Sequence, residues 1–130
     1  MTGSLLWIFL GAVAGASAVG LGAFGAHALR ERLAESALAT WQTAVTYQFT
    51  HALALLAVAI LLRLGLGADR SLAIAGAAFF VGMVLFSGSL YLLALGGPRW
   101  LGPVTPIGGL AFIVGWGALA AAAVRAGPAA

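Results

Sequence analysis

The sequence predicts an all-α integral membrane protein: four transmembrane helices, with a short amphipathic helix between helices one and two. Three observations lead there. The 130 residues are 63% hydrophobic and 7% charged, whereas about a quarter of the residues of a soluble domain are charged. The charges are confined to Arg30, Glu31, Arg32 and Glu35, then Arg63, Asp69 and Arg70, then Arg99, then Arg125. The uncharged runs between them, 1–29, 36–62, 71–98 and 100–124, are each long enough to cross a bilayer once at roughly 20 residues per crossing, and too short to cross twice.

The length fits one domain, 1–130. A soluble bundle would need four helices apolar on every face inside a domain too small to hide them. A β-barrel would need period-2 alternation, which the runs lack. The net charge of +3 comes from six basic residues, all arginine, beside three acids. That is too sparse for nucleic acid and suits anchors at helix ends. With no cysteine, disulfides, thiolate metal sites and thiol catalysis are excluded. Ala16-Ser17-Ala18 resembles a signal-peptide cleavage site, but MTGSLLW has no basic segment and the apolar run continues to Ala26, so an uncleaved first helix is expected.

Helix one is expected over about 5–26. It carries Gly11 and Gly15 in a G-x-x-x-G pair, and a small-residue stripe of Ala14, Ala18, Gly22 and Ala26 suited to close helix approach. HALRERLAESALATWQ (27–42) places Leu29, Leu33, Ala37 and Thr40 on one side and His27, Glu31, Glu35 and Gln42 towards the other. This predicts an amphipathic helix in the headgroup region, with Trp41 as an interfacial anchor. Helix two is expected over 43–62 and helix three over 72–95, joined by RLGLGADRS. GGPRWLGP then stops any helix, and Thr105-Pro106 reads as cap and first residue of helix four, 106–124. In helix three, Ser87, Gly88 and Ser89 suit close helix contact. Three arginines fall on each side of the membrane, so the positive-inside rule is balanced; both termini are assigned to the cytoplasm of an inner or plasma membrane.

TWQTAVTYQFTHALALL (40–56) concentrates the polar residues of the spans. Thr40, Thr43, Tyr47 and His51 lie within about 80° of one another on a helical wheel, with Gln48 on the flank and Thr46 well away. Such a stripe should turn towards protein or water. His51, Tyr47, Gln48, Thr43 and His27 are therefore the candidate polar site, and Gly11, Gly15, Gly22, Ser87, Gly88 and Ser89 the candidate packing positions. His27 and His51 approaching each other would allow a metal or haem, but the spacing matches no metal motif, and no cofactor or metal is assigned. Nucleophilic triads, P-loops and dinucleotide fingerprints are absent.

GAFGAHAL (22–29), Trp41 with YQFTHALALL (47–56), VLFSGSLYLLAL (84–95) and TPIGGLAFIVGW (105–116) together resemble the signature segments of the domain-of-unknown-function 423 family of small bacterial membrane proteins. The chain is similar also to the transmembrane protein 256 family. The resemblance covers nearly the whole chain in matching order. It implies a four-helix membrane protein, with His27, Tyr47, Gln48 and His51 part of the family pattern, and it implies no activity.

A structural or accessory protein is thus expected, not an enzyme, with the lipid bilayer and a homo-oligomer or larger membrane complex as partners. The alternatives are an oligomeric transporter or channel for a small solute using the polar stripe of helix two, and a histidine-based cofactor or metal protein.

Overall fold

In a computed structural model that describes residues 2–127, four long helices account for the four uncharged runs. Helix α1 spans Gly3–Leu29, its last turn, Gly25–Leu29, widened to a π turn. Helix α2 spans Glu35–Leu64, and α3 spans Asp69–Ala94 with a π turn at Met83–Ser87. A single 3₁₀ turn, Arg99–Leu101, precedes α4, Val104–Arg125. At 26 to 30 residues for α1 to α3 and 1.5 Å per residue, these three are roughly 40–45 Å long, enough to cross the hydrocarbon and both headgroup layers.

The helices pack in chain order: α1 lies on α2, α2 on α3, and α3 on α4, while α1 reaches α3 through side chains, the Trp7 ring against Gly76 foremost. The main core joins Leu55 and Val58 of α2 to Leu72, Phe79 and Met83 of α3 and Phe112 of α4. A smaller one, towards the α1–α2 loop, joins Leu29, Trp41, Val45 and Ala94. Glycines set the spacing. A β-carbon at Gly76 would lie 2.5 Å from the ring of Trp7, one at Gly115 would lie 2.6 Å from Phe79, and one at Gly108 would collide with the backbone of Phe86. Helix α2 ends because Gly65 takes a left-handed φ of 65°, which costs a glycine little. The Leu66 N–H can then return to the Leu61 carbonyl at 2.9 Å.

Three expectations are corrected. The separate amphipathic helix over 27–42 does not form. Residues up to Leu29 complete α1, the chain turns at 30–34, and Glu35 opens α2, eight residues before the expected Thr43. The apolar side of this segment is spent on the bundle: Leu29 and Trp41 are buried together rather than laid on lipid. Trp41 is accordingly not an interfacial anchor; it is 3% exposed and donates from Nε1 to the Leu21 carbonyl at 2.8 Å. Helix α4 starts at Val104 behind Pro103, whose side chain has no acceptor to cap it, so Thr105 lies inside the helix, its hydroxyl engaged with Ser89 of α3 at 2.6 Å.

Candidate polar sites within the bundle

The inward face of α2 is set by Trp41, Ala44, Val45, Gln48, His51, Ala52, Leu55, Val58 and Ala59, all buried. Two polar side chains stand in this apolar row, and each becomes the centre of a hydrogen-bonded junction between helices.

Gln48 joins three helices. Its Nε2 donates to the Ala14 carbonyl at 3.0 Å and to Ser17 Oγ at 2.8 Å, both on α1. Its Oε1 accepts from the Tyr91 hydroxyl of α3 at 2.7 Å. Tyr91 also meets the Trp41 ring edge-on, with centroids 4.7 Å apart. Both amide protons and the amide oxygen are thus paired where no water is available to replace them.

His51 joins α2 to α4. The Trp116 indole N–H donates to His51 Nε2 at 3.1 Å, and His51 Nδ1 lies 2.7 Å from the Tyr47 carbonyl one turn earlier. An indole nitrogen is a donor only, so Nε2 must accept and the ring proton sits on Nδ1, donated to Tyr47. This assigns a neutral imidazole in a single tautomer. Phe112 stacks on it with centroids 3.6 Å apart and planes within 10°, and Phe79 closes another side at 5.5 Å. The ring is 3% exposed. A groove of about 580 Å³ opens beside it, lined among others by Tyr47, Phe86, Phe112 and Trp116.

The third junction lies at the α3 π turn. Ser87 donates to the Ala44 carbonyl of α2 at 2.8 Å, and Ser89 bonds Thr105 of α4. No buried side-chain nitrogen or oxygen among the described residues lacks a partner.

The candidate residues therefore divide. Gln48 and His51 face inward and do not touch the same partners. Thr43 is exposed, its hydroxyl turned back to the Ala39 carbonyl at 3.0 Å. Tyr47 is 43% exposed, so the stripe containing Thr43, Tyr47 and His51 is not an inward face. His27 is exposed at the end of α1 and is not brought to His51. Trp41 packs at the level of Gly25, and ten residues of helix put His51 about 15 Å deeper. Among the described residues no three His, Cys, Asp or Glu side chains gather where they could hold a metal. Of the packing positions, Gly11 would place a β-carbon 3.0 Å from Leu56 and Gly22 would place one 3.3 Å from Val45; Gly15 is looser at 4.0 Å from Ala52. Gly88 faces open space and is not a contact. Sequence reasoning missed Trp116, Phe112 and Ser17 as partners of the polar residues. The four-residue spacing of Phe112 and Trp116, which puts both on one helix face, is the signal that was there to be used.

Comparison with known proteins agrees with this architecture. Residues 21–109 match the family described as "Protein of unknown function (DUF423)". The UPF0382 membrane protein YwdK of Bacillus subtilis is 46% identical over 120 residues, spanning 92% of this chain and 97% of its own. A UPF0382 membrane protein of Staphylococcus epidermidis is 43% identical over 122 residues, 92% of this chain and 96% of that one. One of Staphylococcus saprophyticus is 47% identical over 113 residues, 85% and 90% of the two chains. No solved structure matches significantly. With a family match over most of its length and relatives at this identity, the chain, a four-helix protein of the lipid bilayer with Gln48 and His51 joining its helices, belongs to the DUF423 family of membrane proteins.

Proposed function

We propose that the protein is a structural or accessory component of the plasma membrane, acting through helix packing and without catalysis. One observation carries this: Gln48 and His51 of α2 and Ser87, Ser89 and Tyr91 of α3 are engaged in hydrogen bonds between the chain's own helices. A transport pathway needs polar groups left free to exchange with a solute or with water. His51, the natural relay group, is instead held on both nitrogens and stacked against Phe112.

The test is reconstitution into sealed vesicles. The wild-type protein is expected to carry protons, small cations and small neutral solutes no faster than protein-free vesicles. A flux that the wild type supports and His51→Ala abolishes, with the variant still folded, would overturn the reading in favour of transport.

The termini are assigned to the cytoplasmic side. Arginines divide three and three between the two sides, so the positive-inside rule is balanced and side-selective labelling decides the assignment. In this cysteine-free chain, Leu66→Cys is expected to react with an impermeant maleimide only from the cytoplasmic side and Gly102→Cys only from outside. The reverse pattern inverts the assignment.

A further inference from the structure

The outward face of α2 carries hydrogen-bonding groups that the bundle does not use. Gln42, Thr46 and Thr50 recur every four residues and are all exposed, over about 12 Å of helix. Thr40 and Thr43 turn their hydroxyls back to the Ser36 and Ala39 carbonyls. The side-chain bonds that tie α2 to its neighbours involve Trp41, Gln48, His51 and the Ala44 carbonyl, and none comes from this stripe. A hydroxyl turned back on its own helix, as at Thr40 and Thr43, needs no other partner, but Gln42, Thr46 and Thr50 make no such bond, and polar groups left unpaired within a span turn to protein or water rather than to lipid. Beside the stripe, α1 exposes Val19 and Ala23, and between the two helices runs a groove of about 400 Å³ with Ala18 and Gly22 in its wall. The small residues on its α1 wall leave room for another helix to come close.

Charge and hydrogen-bond chemistry identify the occupant. Hydroxyl and carboxamide groups both donate and accept, so the stripe is complementary to a copy of itself. At its head the loop exposes Arg30, Glu31, Arg32 and Glu35, two charges of each sign. Two copies related by a two-fold axis along the membrane normal use one patch twice and can set arginine against glutamate. An anionic lipid headgroup would meet as many acids as bases. We propose that two copies of the chain pair through this face, the α2 helix of each seated in the α1–α2 groove of the other, with Gln42, Thr46 and Thr50 bonding across the two-fold axis.

The proposal rests on the structural reading above and deepens it. Cross-linking reads the proximity of copies and vesicle flux reads transport, so failure of one is told from failure of the other. Single-cysteine variants are oxidised in native membranes with copper phenanthroline. Thr46→Cys and Leu53→Cys are expected to give disulfide-linked homodimers, and Ile113→Cys on α4 and Val84→Cys on α3 to remain monomeric. Monomers from the α2 variants, equal cross-linking from the α4 variant, or capture of a different protein at position 46 would each overturn it. The triple variant Gln42→Leu, Thr46→Val, Thr50→Val supplies a second measurement. Energy transfer between labelled copies in phosphatidylcholine–phosphatidylglycerol vesicles should show about tenfold weaker pairing, with thermal unfolding of the single chain unchanged. Pairing as tight as the wild type's would overturn the proposal.

Discussion

At the scale of single residues, Gln48 and His51 show how a polar atom is kept inside hydrocarbon: by giving every one of its hydrogen-bonding groups a partner on another helix or on its own backbone. Tyr91→Phe leaves Gln48 Oε1 with no donor, and unfolding in bicelles should show a loss of about 1 kcal/mol. Combining it with Gln48→Leu should cost less than the sum of the two singles, since both remove the same bond; strict additivity would mean that the bond contributes nothing. Much of this pair was hidden in the sequence. The helical wheel rightly grouped polar residues, but it joined Thr43 and Tyr47 to His51, and they lie about 130° and 90° from the centre of the inward face. The error came from treating every polar residue in a span as needing a neighbour. A threonine can satisfy its hydroxyl on its own helix, as Thr43 does at Ala39, so it does not mark a direction. Gln48 cannot be satisfied that way on both amide protons, and its inward orientation was the better clue.

At the scale of elements, glycine positions and π turns decide how the helices meet. Gly108 and Gly88 were indistinguishable by composition, yet one backs onto the Phe86 main chain and the other faces open space. Gly108→Ala should therefore destabilise by about 1–3 kcal/mol, since a backbone neighbour cannot rotate away. Gly88→Ala should leave the melting temperature unchanged or raise it, because alanine favours helix. Equal effects from the two would show that the α3–α4 contact is not as close as described. The serines around Gly88 were legible as packing residues, though not their directions. Ser87 and Ser89 stand about 200° apart on a wheel, and so one reaches α2 and the other α4. The widened turn at Met83–Ser87 re-aims this stretch, and no propensity in MVLFS announces it. The amphipathic reading of 27–42 failed for a related reason: local charge pattern placed a helix on lipid, while the burial of Leu29 and Trp41 against the bundle drew both halves of the segment into α1 and α2.

For the whole molecule, four spans were readable because nine charges, six basic and three acidic, mark only the ends of helices, and each charge placed inside hydrocarbon would cost several kcal/mol. The order in which the spans pack was not readable, since lipid is as apolar as their side chains and hydropathy does not choose neighbours. What chooses them is a small set of long-range bonds, and these also impose a sequence in time. Gln48 finds its α1 partners as soon as the first hairpin is inserted, 31 and 34 residues back along the chain. Its oxygen waits for Tyr91, 43 residues onward, and His51 Nε2 waits for Trp116, 65 residues onward. During synthesis the first hairpin therefore stands in the membrane with two unfilled acceptors, and α4 is the last latch to close. A chain halted before Trp116 should be the species that membrane quality-control proteases recognise.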